Sequence, residues 1–345
     1  MLLDDLTRLA GVSGFEEEVR EFIRNKCKDI ADEVMTDRLG NVIAIKKGTT
    51  MPDKVVSVIA HMDEIGFIIS YIMDNGLLKF SPVGGIDVRT MVSKRLLIGK
   101  DRIPGVIGAK AIHLQKRGEW KTPMGVNQLF IDIGATSKGE AEALVSVGDT
   151  AVYNSEPVEF GNNLYKARAL DDRVGCALLL KALEGRYPVT LAAVFSVQEE
   201  MGLRGSKVAV HRIKPDAGLC IEGTTCADMH DVPEHAKVTV IGSGPAITHM
   251  ERSTIAHRGL LNFMEKVGNE NEIPWQYRIG NSGGTDAAAL QMARDGKPVA
   301  HITVPCRYIH SPVSVCSLDD FENAGKLLES TLKKFDEFFN EEVEA

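Results

Sequence analysis

"DKVVSVIAHMDEIGF", residues 53–67, decides the fold. Val55, Val56, Val58, Ile59 and Ala60 form a nearly unbroken apolar, β-branched run, the pattern of a central strand covered on both faces. Then the character changes abruptly, through His61 and Asp63 to Gly66. Comparable runs recur at "VTLAAVFSV" (189–197), "DAGLCIE" (216–222) and "PVAHITV" (298–304). Helical stretches accompany them: "LDDRVGCALLLKALEG" (170–185), "STIAHRGLLNFMEKVGNEN" (253–271), "GTDAAALQMARDG" (284–296) and, as one long closing helix, "SLDDFENAGKLLESTLKKFDEFF" (317–339). Residues 2–33 also read as helix, with Ser13 as a candidate N-cap, and "MTDRLGNVIAIKKG" (35–48) as a strand after a turn. This alternation predicts an α/β domain with a mostly parallel central sheet covered by helices.

Between residues 66 and 164 the texture differs. Short runs such as "FIISYIM", "LLKFSPV", "RLLIG" and "DTAVY" are broken by turn signals, with one short helical stretch, "SKGEAEALV". That is the pattern of a small β-barrel-like module. The expected organisation is one α/β domain from residues 1–65 and 165–345, with 66–164 inserted.

Bulk properties exclude several classes. A net charge of −8, with no long basic run, disfavours nucleic acid or an anionic membrane as partner. There is no leader-like start and no 18-residue apolar run, so no membrane span is expected. The six cysteines are scattered without a CxxC pair, which favours reduced, packed thiols in a cytoplasmic protein. Disorder is expected only in the acidic tail "NEEVEA".

In open α/β sheets ligands collect at the carboxyl ends of the strands. There the strands deliver His61 and Asp63, then Glu199 and Glu200, then Glu222, and finally His310 in "CRYIHS", while the helix after the insertion opens with Asp171 and Asp172. Singly, such residues are ordinary turn acids or structural histidines. Together they suit two cations, with two histidines and three carboxylates, one of them bridging. Asp63, two residues from His61, is placed to accept a hydrogen bond from the imidazole nitrogen the metal does not use. The loop "ADMHDVPEH" (227–235) is the strongest competing cluster, but it follows no apolar strand directly and reads as exposed.

The segments "AHMDEIGF", "ALDDRVG", "SVQEEMGLRGS", "CIEGTTCAD", "GGTDAAA" and "CRYIHSP" resemble, in order and neighbourhood, those of the tetrahedral (TET) dinuclear-metal aminopeptidases, the glutamyl and deblocking aminopeptidases, some of which carry endoglucanase or cellulase labels. The resemblance spans nearly the whole chain. It implies a zinc-exopeptidase-like fold and an aminopeptidase acting on short peptides. It implies that Asp171 bridges two metals, that His61 and Glu222 complete one site and Glu200 and His310 the other, and that Glu199 is general base and acid. Zinc is the implied metal, with cobalt or manganese as alternatives. The Asp171–Asp172 peptide is often cis in the family. Thr285 or Asp286 would line the substrate pocket, or else cap a helix. The inserted module would make subunit contacts, from a dimer up to a dodecamer. Two departures stand out: many relatives have Asp in place of Glu222 and Glu in place of Ser314. A glycoside hydrolase needs paired carboxylates but not His61 and His310; a non-catalytic metal-binding assembly subunit has no use for Glu199; a carboxypeptidase or acylase on a related metal fold is a nearer alternative.

Overall fold

The computed structural model describes residues 1–118 and 121–344. Among these, eleven strands form one mixed sheet and six more close into a barrel. The centre of the sheet is parallel, in the order Val189–Ser196, Met51–His61, Ala217–Thr225, Val299–Arg307. Val42–Lys46 and Glu33–Thr36 extend one side antiparallel, and Ser314–Ser317, Leu164–Ala167 and Val158–Phe160 extend the other. The sheet is thus parallel where the sequence shows continuous apolar runs and antiparallel at its flanks.

Those runs have a direct cause. Val56, Val58 and Ala60 enter a core with Val174 and Leu178 of the helix Leu170–Ala182 and Leu327 of the helix Leu318–Lys333. Ile59 faces the opposite core, with Val194, with Ala209 of Arg204–Ile213 and with Leu290 of Ala287–Gln291. Burying each such Val, Ile or Leu contributes about 1.5–3 kcal/mol. A slip of one residue would exchange the two faces, so packing fixes the register that places His61 at the strand end.

The barrel strands run, in spatial order, Gly66–Ile72, Leu78–Val83, Phe130–Asp132, Ile103–Gly108, Arg95–Ile98 and Thr150–Tyr153, all antiparallel. Phe67 sits inside, with Phe80 and Tyr153 each edge-on to it at 5.2 Å. The expected short helix is present at Lys138–Glu142. The chain rejoins the large sheet at Val158–Phe160, a few residues before 165.

Three helix readings need correction. Residues 2–33 form two helices, Leu2–Arg8 and Glu17–Lys28. The first stops because Arg168 donates to the carbonyls of Arg8 and Leu9, and Arg173 to those of Leu6 and Leu9. The second is preceded by Glu16 at its cap position, so Ser13 is not its N-cap; Ser13 bonds elsewhere, as described below. The closing helix breaks at Lys334, and the chain turns so that Phe335 and Phe338 pack on Phe263. The second piece, Phe335–Glu344, carries the acidic tail as helix up to Ala345, which lies outside the described residues. The helix expected over 284–296 is short, Ala287–Gln291.

All six cysteines are buried free thiols. Among the described residues no helix is long and apolar enough to cross a membrane.

Glu64 ties the parts together. It is buried, and its carboxylate pairs with Arg168, with Arg173 at 3.3 Å and with the Gly11 N–H at 3.0 Å. Removing one member of a buried charge group leaves the others unpaired. Glu64→Ala is therefore expected to destabilise the fold by about 3–5 kcal/mol, read as a lower urea midpoint; a shift within error of wild type would contradict this account.

Candidate metal centre

His61 is the last residue of its strand. Its Nδ1 donates to the Asp63 carbonyl at 3.1 Å and lies 3.5 Å from Asp63 Oδ1, so the backbone oxygen is the nearer partner. That turns Nε2 towards Asp171 Oδ1 at 3.2 Å and Glu222 Oε1 at 3.7 Å. Asp171 opens the helix Leu170–Ala182 in an extended conformation (φ −87°, ψ 102°), and its peptide to Asp172 is cis, as the resemblance implies. Its other oxygen, Oδ2, lies 3.5 Å from His310 Nε2, which is itself 3.3 Å from Glu200 Oε1. His310 sits in a left-handed turn (φ 59°), and its Nδ1 donates to the Gly85 carbonyl at 2.8 Å.

Adjacent strand residues face opposite sides, so Glu199 and Glu200 reach one centre only by leaving the strand. The strand ends at Ser196, Gln198 is left-handed (φ 54°), and a turn closes through Gly202, whose φ of 107° suits glycine. Asp63 holds this turn. Its Oδ1 accepts the Glu199 N–H at 3.0 Å, and its Oδ2 accepts the Glu200 N–H at 3.2 Å and the Ser13 hydroxyl at 2.6 Å. Asp172 lies behind the centre and accepts the N–H groups of His61 at 3.1 Å and Gly175 at 2.9 Å.

Candidate ligand atoms fall into two groups, His61 with Glu199 and Glu222, and Asp171 with Glu200 and His310, each within 4.8 Å. Asp171 faces both histidines, so it touches both groups. Among the described residues no lysine or arginine pairs with Asp171, Glu199, Glu200 or Glu222. Burial pushes the carboxyls of Glu199 and Glu222 well up, and that of Glu200 to about 7. Burial opposes charge on the histidines too, but Asp171 and Asp63 raise His61 well above its ordinary value, and Asp171 and Glu200 raise His310 to about 9. Burial likewise opposes charge on Asp63, yet hydrogen bonds from His61, Ser13 and Glu199 hold its carboxyl low. An acid-rich set of imidazole nitrogens and carboxylate oxygens, short of positive charge, fits divalent cations such as zinc, cobalt or manganese.

The centre opens into a cleft of about 860 Å³. Thr285 lines it, and its hydroxyl accepts the Ala287 N–H at 3.3 Å, while Asp286 holds the cap position of the short helix without a side-chain cap bond. Asp286 does not line it; it is buried beneath, accepting the Ser196 hydroxyl. Ser314 is buried, its hydroxyl 3.4 Å from the Tyr308 carbonyl in the loop that carries His310. In the competing loop His230 and Asp231 are exposed, while Asp228 pairs with Arg307. Sequence reasoning missed Glu251, Arg278 and His301, which line the far wall. The one available signal was His301, a polar residue inside an apolar strand run.

The chain is similar to known aminopeptidases in sequence and in fold. A family model described as M42 glutamyl aminopeptidase matches residues 40–327. An Acetivibrio thermocellus protein, named provisionally as an aminopeptidase, is 39% identical over 330 residues, covering 95% of this chain and 96% of that one. The solved structure of an aminopeptidase from the archaeon Desulfurococcus kamchatkensis matches with a TM-score of 0.92 at 36% identity, covering 96% of this chain and 94% of that one. The Pyrococcus horikoshii TET1 peptidase, described as able to assemble into a tetrahedron or a large octahedral shell, matches with a TM-score of 0.85 at 33% identity, covering 96% and 98%.

Glu16 supplies a pH test of the turn. It is buried and accepts the N–H groups of Gly14 at 2.6 Å and Gln198 at 3.2 Å, and burial raises its carboxyl from 4.5 to about 7. An acid with a raised folded pKa contributes stability that is full below the unfolded value and is lost as pH rises through the folded one. In chelator, the stability of wild type relative to Glu16→Gln should therefore fall by about 3 kcal/mol between pH 4.5 and 7 and stay flat above. Denaturant unfolding of both proteins across that range is the measurement, and parallel curves would refute the assignment.

Proposed function

We propose that this chain, which belongs to the M42 glutamyl aminopeptidase family, removes N-terminal residues from short peptides at a centre of two divalent cations. The observation that carries the reading is Asp171, whose two oxygens each face one histidine. In this reading Asp171 bridges, His61 and Glu222 complete one set, and Glu200 and His310 complete the other. Each cation would then be held by three protein donors, as a catalytic site requires. Glu222, in place of the Asp common among relatives, still brings an oxygen to 3.7 Å from His61 Nε2.

When bound, the cations, zinc or else cobalt or manganese, acidify a shared water and polarise the scissile carbonyl. Glu199 is the carboxylate left over once both sets are filled. Left without a cation of its own, it is the group that takes a proton from water at Oε and returns it to the leaving amine. The acid-lined mouth of the cleft attracts the substrate's free α-amino group. Asp63 and Asp172 position the ligands without touching substrate.

The division into residues 1–65 with 165–345 for catalysis and 66–164 for assembly belongs to the same proposal. It is supported by Ile112 and Leu114, which leave 66% and 64% of their surface exposed on the inserted module, and by the assembling TET1 relative. A homo-oligomer, from dimer to dodecamer, in the cytoplasm is the proposed state.

The test strips the protein with chelator and restores zinc, cobalt or manganese separately. Two ions per chain should rebind, and release of N-terminal residues should return with them. Glu199→Gln is expected to keep both ions and lose at least roughly a hundredfold in turnover. Unchanged turnover would remove Glu199 from its role, and loss of one ion would make it a ligand instead. Asp171→Asn should weaken binding of both ions.

A further inference from the structure

We infer that the far wall of the cleft selects a basic first residue, lysine or arginine, and that Glu251 is the residue that selects it; this rests on the aminopeptidase reading above. Glu251 is 5% exposed and lines the cleft. All the hydrogen bonds of its carboxylate within the described residues fall on one oxygen. Oε1 accepts the Ser253 hydroxyl at 2.7 Å, the Thr285 N–H at 3.1 Å and the Thr285 hydroxyl at 3.2 Å. Oε2 has no such partner, yet it is not among the polar atoms sealed inside the protein, so it faces the cleft. A carboxylate oxygen that opens on the cleft without a protein donor can accept a charge-assisted hydrogen bond from a substrate ammonium or guanidinium.

The positive groups nearby are differently committed. Arg278 donates from Nε to Thr224 Oγ1 at 2.9 Å, from Nη1 to the Gly280 carbonyl at 3.3 Å and from Nη2 to the Ser282 carbonyl at 2.6 Å. It braces the glycine-rich loop and makes no ion pair with Glu251 among the described residues. Arg252 is exposed, so water screens its charge. His301 Nε2 lies 3.9 Å from Glu251 Oε1, but burial lowers it to about 4, so it is uncharged at neutral pH. Tyr308 and Ile309, also on the cleft, offer apolar surface to a long side-chain stem. Arg278 keeps its charge and acts on Glu251 only through space, so Glu251 Oε2 is the charged oxygen of this wall that no donor of the described residues occupies.

The experiment uses the metal-loaded protein and Glu251→Gln. Lysyl, arginyl, leucyl and glutamyl p-nitroanilides report kcat/KM, and calorimetry compares binding of lysine amide with norleucine amide, its uncharged analogue. Glutamine keeps an acceptor for Ser253 and Thr285, and any leucyl turnover reports an intact centre. Wild type should favour lysyl over leucyl substrates. That ratio, and the binding advantage of lysine amide, should fall roughly 10- to 100-fold in the variant, the range for a charge-assisted hydrogen bond. Preference for the glutamyl substrate, or a lysyl-to-leucyl ratio that Glu251→Gln leaves unmoved, would overturn the inference. Should no substrate be cleaved while lysine amide still binds better through Glu251, the hydrolytic reading fails and the selectivity stands; equal binding of the two amides would overturn both.

Discussion

The centre depends on a single buried carboxylate that touches no candidate substrate position. Asp63 is fully inaccessible, and an isolated charge at that depth would be untenable. It persists because donors from separate segments converge on it: the Ser13 hydroxyl, the N–H groups of Glu199 and Glu200, and, more distantly, His61 Nδ1. The requirement works in both directions. The carboxylate needs the donors, and the Glu199–Glu200 turn needs an acceptor for two backbone N–H groups that no strand partner satisfies. The same residue's carbonyl orients His61. Position 63 thereby sets where three of the six candidate side chains lie, His61, Glu199 and Glu200.

Charge is sorted with equal care. Among the described residues the carboxylates of the centre pair with histidines and with no lysine or arginine, yet two arginines lie close behind. Arg168 and Arg173 are held away by Glu64 and by the carbonyls that end the helix Leu2–Arg8. If a guanidinium reached Asp171 or Glu222, it would satisfy the acids permanently and leave no demand for a cation. The helix end and Glu64 give the arginines better partners, so the acids stay available. A buried ion group of this kind contributes little net stability; its value here is where it puts the positive charge.

Much of this was legible in the sequence because a parallel strand covered on both faces can place polar residues only at its end. His61, Glu199, Glu200, Glu222 and His310 follow from that rule. Glu251 and Arg278 were not legible, since Glu251 reaches the cleft from a connection and Arg278 from the end of the short strand Gln276–Arg278, whose places are set by tertiary packing. Ser13 was misread for an instructive reason. Ser13 with Glu16 has the spacing of a capping box, but a buried carboxylate fifty positions away is a stronger partner than a helix terminus open to water. The helix breaks near residue 9 and at Lys334 also have non-local causes, the arginines from the following domain segment and the Phe263 surface. Asp286 shows the remaining ambiguity: a helix-start aspartate can face a pocket or a core, and only Ser196 beneath it decides.

The barrel is more than an appendage between ligand segments. Both histidines are set by backbone carbonyls, His61 by Asp63 and His310 by Gly85. These two carbonyls bracket the first barrel hairpin, formed by Gly66–Ile72 and Leu78–Val83. A carbonyl can only accept, so each fixes a proton on Nδ1 and leaves the Nε2 lone pair to the centre. The approach is close enough that a side chain at Gly84, where φ is 80°, would meet Ile65 at 2.7 Å and Glu200 at 3.5 Å. The hairpin is thus wedged against the Glu200 turn while it orients the imidazole that faces Glu200. All the candidate ligands lie on the segments of the large sheet, while the carbonyl that orients His310 comes from Gly85 beside the barrel hairpin, so the centre is built by both parts.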